Sequence, residues 1–300
     1  MKKSLLVSLF LLLLSACIQN SGPGGGSNVD RPVGGRELTS LATQDGSQQL
    51  TFFNVATMNL SAAREVLPLR GAPAEALRSI DYAPDGTLYG LGVLQLGAET
   101  TRGALYSIDP LTGVVTEVVQ FELPFVPDDV RFVPGTNGQH VRVNEYRQQV
   151  VRPYTALVNV ASGAVFQVAQ VDAGQGLGIR PAITAFDYSD NQFIAMIGDG
   201  LTGYAQQLAR APLGREVTLD SFARIRTNRF FINSLVVGGV VGYGTITDDS
   251  DPTEAPILVE VNINPSSPTV GESQEIAAFP MSQLSLAKTP ESVVKARQER

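Results

Sequence analysis

The chain has 300 residues, 22 cationic and 29 acidic side chains, one cysteine, one histidine and no tryptophan. A net charge of −7 leaves no basic face to neutralise phosphates, which argues against nucleic acid as a partner. A lone cysteine excludes an internal disulfide framework, while 29 glycines and 18 prolines among many Val, Thr and Phe suit an all-β fold rich in turns.

Residues 1–17 open with Lys2 and Lys3, run through an apolar stretch from Leu5 to Leu14 and end at Ser15-Ala16-Cys17. A basic start, a short apolar core and small residues before the cut define a secretory signal, and the run is too short to span a bilayer. Leu14-Ser15-Ala16-Cys17 resembles the bacterial lipobox. That resemblance implies lipidation at Cys17, export and a membrane partner reached through the lipid. Ile18, rather than Asp, after the cysteine favours the outer membrane if the cell is Gram-negative. Loss of Lys2 and Lys3 would leave 20 cations against 29 acids, a charge of −9.

Residues 18–36 are dominated by Gly, Ser, Asn and Pro, so no core can form there and a flexible tether is expected. Residues 37–287 form the expected folded domain. A segment recurs within it, strand–turn–strand, beginning at Leu50, Leu105, Leu157, Leu208 and Leu258. Each copy reads as the outer hairpin of a unit. A second series precedes the later copies: Ile80-Asp-Tyr82, Val130-Arg-Phe132, Phe186-Asp-Tyr188 and Leu235-Val-Val237. Most of these triplets alternate apolar and polar, as half-buried strands do. A further strand follows each. Four strands in about 50 residues make a propeller blade, so the sequence predicts an all-β fold, a five-bladed β-propeller of four-stranded blades.

The first unit lacks an inner strand of its own. The series extends to Leu284-Ser-Leu286, so Ser282 to Ala287 should supply that strand and pair with Glu37 to Ala42. Residues 288–300 form a charged tail, with Thr289 and Pro290 placed to start a short helix, read as frayed or disordered.

Ser79-Ile-Asp-Tyr-Ala-Pro-Asp-Gly-Thr-Leu-Tyr-Gly-Leu-Gly92, followed by Ala104-Leu-Tyr-Ser-Ile-Asp-Pro-Leu-Thr-Gly113, resembles Domain of Unknown Function 4394, a bacterial family. The likeness is specific over Ile80 to Gly113 and loosens toward Gly163, with Arg147 standing where the family has Gly. It implies a propeller-like extracytoplasmic domain and no particular activity.

Chemistry-bearing residues are sparse. His140 would have to serve any Ser-His-Asp triad, and it falls at a strand edge. Gly174-Gln-Gly176-Leu-Gly178 lacks the spacing and the following helix of a dinucleotide loop. Asp248, Asp249, Asp251 and Glu254 cluster between two strands of the last unit and are weak candidates for a metal, calcium being the fitting cation. Asp81 and Asp187 hold equivalent places in the inner-strand series, Asp129 lies close to it in the third unit, and the three are candidate axial carboxylates, which could ring an ion or merely accept hydrogen bonds from turn amides. No cofactor is expected, calcium being the one cation these carboxylates could take. The sequence therefore points to a lipid-anchored envelope propeller that binds or scaffolds an envelope protein or a small ligand. The alternative is a cation-dependent hydrolase or lactonase built on the axial carboxylates.

Overall fold

The computed structural model describes residues 37–55, 65–71, 77–96, 100–145, 153–173, 181–189, 192–199, 205–213, 218–226, 231–247, 256–279 and 282–300. Five antiparallel sheets of four strands stand in a ring, a five-bladed β-propeller. Blade 1 holds β1 (Glu37–Gln44), β2 (Ser47–Asn54) and β3 (Glu65–Pro68). Blade 2 holds β4 (Leu77–Tyr82), β5 (Leu88–Leu96), β6 (Thr101–Ile108) and β7 (Val115–Leu123). Blade 3 holds β8 (Asp129–Phe132), β9 (His140–Asn144), β10 (Tyr154–Asn159) and β11 (Val165–Gln170). A two-residue strand, β12 (Asp172–Ala173), adds in parallel to the outer edge of the next blade. Blade 4 holds β13 (Pro181–Ser189), β14 (Gln192–Asp199), β15 (Ala205–Pro212) and β16 (Thr218–Arg224). Blade 5 holds β17 (Phe231–Gly238), β18 (Val241–Thr247), β19 (Ile257–Asn262) and β20 (Ser273–Ala278).

The last strand, β21 (Ser282–Lys288), is the inner strand of blade 1 and closes the ring. It pairs antiparallel with β1, Thr39 opposite Ala287 and Leu41 opposite Ser285. Joining the two chain ends within one sheet removes two exposed edges.

The core lies in layers between blades. Side chains alternate along a strand, so a propeller strand buries both faces, one on each neighbouring blade. In β6, Ala104 and Tyr106 pack in the cluster that holds Leu41, Phe52 and Leu77, whereas Leu105 packs with Val130, Val141 and Val143 of blade 3. The repeated leucines occupy the third strand of each blade, and all five are buried. Each contributes about 1.5–3 kcal/mol.

The charged tail is folded, which corrects the frayed reading. Glu291–Gln298 form α1, the helix found among the described residues. Val293 is buried against the blade 1–2 core. Arg297 pairs with Glu37 and lies 3.5 Å above the ring of Phe52. Thr289 does not cap α1. Its hydroxyl is fully buried, 2.8 Å from that of Thr39.

Candidate axial binding site

The five inner strands run alongside one another about the axis. Five alternate-residue positions face one another there: Ser79, Asp129, Ala185, Ser234 and Ser285 form one tier. Asp81, Arg131, Asp187, Val236 and Ala287 form the next. This alignment follows from hydrogen bonds that pass from each blade to its neighbour. Ser285 Oγ accepts from the amide of Ile80 at 3.2 Å, joining blade 1 to blade 2. Ser79 Oγ accepts from Val130 at 3.3 Å, and Asp81 Oδ2 accepts from Phe132 at 2.7 Å. Asp187 Oδ2 accepts from Val237 at 2.6 Å, and Ser234 Oγ accepts from Leu286 at 2.9 Å. The remaining junction, blade 3 to blade 4, is made by two arginines: Arg131 Nε donates to the carbonyl of Phe186 at 3.2 Å and Arg142 Nε to the phenol of Tyr188 at 2.7 Å.

Arg131 does more than join two blades. Its Nη1 donates to the carbonyls of Ile80 at 2.8 Å and Val130 at 3.2 Å, and its Nη2 to that of Leu235 at 3.1 Å. One guanidinium thus reaches main-chain oxygens of blades 2, 3, 4 and 5. It is 1% exposed. Asp129 Oδ1 lies 3.7 Å from Nη2 and Asp187 Oδ1 lies 4.0 Å from Nε. Asp129 also accepts from the hydroxyl of Ser79. A guanidinium suits this place because it offers five donors in a fixed planar fork.

The three carboxylates named from the sequence lie around a side-chain cation, Arg131. Asp81 and Asp187 share a tier with Arg131, and Asp129 lies one tier away. Residues already bonded to a guanidinium and to blade amides do not fit a calcium ion, which takes six to eight oxygens at close range. Among the described residues, no group of three His, Cys, Asp or Glu is disposed to hold a metal.

Burial drives the electrostatics. It pushes the Asp81 carboxyl up to about 7, with Arg131 opposing and Asp187 adding to the rise, while the amides of Phe132 and Tyr82 pull it down. Burial also raises Asp187, again against the pull of Arg131. Both carboxyls are enclosed by protein yet touch solvent through a pocket of about 530 Å³ at the axial mouth. Asp81 and Asp187 line this pocket together with Tyr82, Phe132, Tyr188 and Val237. Pro84, Pro134 and Pro290 also line it, as do Lys288 and Glu291 of the chain end. The phenol of Tyr188 accepts from Arg142 Nε at 2.7 Å, and that of Tyr82 lies 2.9 Å from the Thr39 hydroxyl. Burial lifts the Tyr188 hydroxyl to about 12.

The other sequence candidates stand apart from this site. His140 begins β9, its Nε2 3.4 Å from Asn159 Nδ2 and its ring edge-on to Phe166. Cys17, the acidic residues Asp248, Asp249, Asp251 and Glu254, and the glycines 174, 176 and 178 lie outside the described residues. Arg131 is the residue of this cluster that the sequence pattern does not single out. Its signal lay in the triplet Val130-Arg-Phe132, where it occupies the central place that Asp81 and Asp187 hold in theirs.

No family model matches the chain, and no curated protein matches it. Solved structures resemble the chain only at low identity and with TM-scores below 0.5. A "putative 6-phosphogluconolactonase" from Bacteroides fragilis is 11% identical with a TM-score of 0.48, covering 86% of this chain and 86% of its own. Its counterpart from Bacteroides uniformis is 16% identical with a TM-score of 0.43, covering 81% and 68%. An apocarotenoid oxygenase from Synechocystis is 13% identical with a TM-score of 0.42, covering 80% and 57%. These likenesses carry no activity to this chain.

Proposed function

We propose that this chain is an exported lipoprotein whose propeller is a non-catalytic binding module of the cell envelope, receiving a small ligand at the axial mouth. The observation that carries the reading is Arg131. Its guanidinium sits among the carboxylates near the axis, bonded to the carbonyls of Ile80 and Leu235, and Asp81 and Asp187 already serve as acceptors for amides of the next blade. The pocket above them falls within the volume range of small-molecule sites, about 300–1,000 Å³. Export and lipid anchoring rest on the lipobox-like Leu14-Ser-Ala-Cys17, and outer-membrane sorting on Ile18.

The cation-dependent hydrolase or lactonase gains no support from this geometry. Calcium titration followed by thermal unfolding separates the two readings. Only a slight rise in Tm is expected, since stabilisation grows as RT ln(1 + [L]/Kd) and no strong site is expected. A large, saturating rise at micromolar calcium would favour the hydrolase. Anchoring is tested by metabolic labelling with a palmitate analogue: the wild type should be tagged and Cys17→Ser should not. Equal labelling of both would remove the lipoprotein assignment.

A further inference from the structure

Among the described residues, the axial pocket carries the two carboxylates of Asp81 and Asp187 in its lining. Three of its rim positions, Pro84, Pro134 and Pro290, have no amide hydrogen. Most strand and turn amides at the mouth are engaged within the protein, whereas those that open α1, beside Pro290 and Glu291, have no side-chain cap. Phe132 and Val237 donate to Asp81 and Asp187, and Tyr188 donates to Asp187. Ala83 donates to the carbonyl of Thr87 at 2.9 Å and Val133 to that of His140 at 3.0 Å. The two phenols are held by Thr39 and Arg142. Among the described residues, Lys288 at the exposed rim is the cationic side chain lining the mouth. A phosphate or carboxylate ligand seated against Asp81 and Asp187 would meet two carboxylates.

A cation meets the reverse. Each carboxylate oxygen can accept more than one hydrogen bond, so Asp81 and Asp187 can serve a ligand while holding the next blade's amide. The same axis already accommodates a guanidinium, that of Arg131, among carbonyls and carboxylates. The walls of Tyr82, Phe132 and Tyr188 offer ring surface of the kind that attracts cations. We infer that the pocket takes a small organic cation, an ammonium or guanidinium group on an apolar frame, seated against Asp81 and Asp187. This deepens, and rests on, the reading of the mouth as a ligand site.

Binding is linked to a proton. The charged groups around Asp81 are Arg131 and Asp129 from β8, Asp187 from β13, Lys288 from β21 and Glu291 from α1, with the phenols of Tyr82 and Tyr188 beside it. Asp81 is partly protonated near neutral pH, so a cation binds more tightly as pH rises and expels a proton near pH 7.

The test uses the full-length chain and matched probes on one frame: benzylamine, benzyl alcohol and benzoate, with agmatine as the guanidinium. Titration calorimetry should show the two cations binding at pH 8 and weakening about tenfold at pH 5.5. Proton release should appear as a dependence of the heat on the buffer's ionisation enthalpy. Asp81→Asn, which keeps an acceptor for the Phe132 amide, should weaken the cations about tenfold and abolish the pH dependence. Lys288→Gln, an exposed change that does not threaten the fold, should tighten them. If benzoate or benzyl alcohol binds as well as benzylamine, or the cations bind no better at pH 8, the cationic assignment is wrong while the ligand site stands. If no probe of any charge binds in a manner sensitive to Asp81 and Lys288, the reading of the mouth as a ligand site falls with it.

Discussion

Arg131 Nη2 donates to the carbonyl oxygen of Leu235 at 3.1 Å, two residues 104 apart in sequence meeting at the axis. The bond reaches from blade 3 to blade 5, and the same guanidinium also holds blades 2 and 4. A propeller has no central core to draw its blades together, so a buried cation bonded to four inner strands acts as its hub.

Removing that hub should be costly. Arg131→Met keeps an unbranched stem and deletes every donor, leaving carbonyls and carboxylates buried without their cation. Losses on breaking a buried charge pair are about 3–5 kcal/mol. For a domain of this size that lowers Tm by roughly 10 °C. Arg131→Lys should fall between, because an ammonium cannot fork to three neighbouring blades at once. Thermal unfolding of the three proteins decides it, and an unchanged Tm in Arg131→Met would show that the ring needs no hub.

Asp81 gives the fold a pH dependence of definite sign. Its folded carboxyl titrates at about 7, against about 3.9 in an unfolded chain. The native state therefore holds a proton that the unfolded state has released. The associated stability is fully present below about pH 4 and is lost as pH rises through about 7. Asp187, raised in the same direction, adds to the slope. Asp81→Asn should flatten the decline in denaturation midpoint between roughly pH 4 and pH 7. An equal slope in wild type and variant would place the proton elsewhere.

The glycines of the outer hairpins bring neighbouring blades into contact. Gly163 has φ +69°, and a Cβ there would lie 2.3 Å from the carbonyl oxygen of Gln120 in blade 2. Gly113 meets Pro68, and Gly271 meets Arg224, in the same way at other junctions. Gly135 has φ +77° but open space around it. Gly135→Ala should then cost about 1–2 kcal/mol, the strain of the left-handed conformation alone. Gly163→Ala should cost clearly more, since the blades must also part. Equal losses in denaturant unfolding would count against the clash.

Much of this architecture is legible in the sequence because a propeller repeats itself. The leucines at 50, 105, 157, 208 and 258 mark the third strands, and the missing first inner strand points to the chain end. The finer frame is not legible there. The triplets align Leu284 with Ile80, whereas the hydrogen bonds align Leu286 with it, two residues on. Period-two alternation is unchanged by such a shift, so only the neighbouring blade sets it. The same limit hid the axial chemistry. Asp129 lies a tier away from Asp81, and Arg131 takes the equivalent place; a strand pattern cannot say which polar residue turns inward. The mouth pocket joins prolines at 84, 134 and 290, which no local pattern relates.

The chain end supplies the remaining prediction, in two truncations. Deleting residues 281–300 removes β21, and with it the pairing to β1, the Ser285 bond to Ile80 and the Ser234 bond to Leu286. Blades 1, 2 and 5 then face a gap, with the inner edge of β1 bare. Such a chain should not reach a cooperative fold. Deleting residues 291–300 leaves the ring closed, and the sequence alone would make it nearly silent. The docked helix says otherwise. Val293 is buried, Arg297 joins Glu37 and covers Phe52, and Arg300 Nη1 donates to the carbonyl of Leu111 at 2.6 Å. Burial of the valine and the cation–ring contact together amount to about 2–4 kcal/mol. The shorter truncation should therefore melt cooperatively but several degrees below the intact protein, with the loss partly reproduced by Arg297→Ala. Calorimetry of the intact chain, the two truncations and that variant checks each step. A longer truncation that melts like the intact chain would overturn closure through β21, and a silent shorter one would overturn the docking of α1.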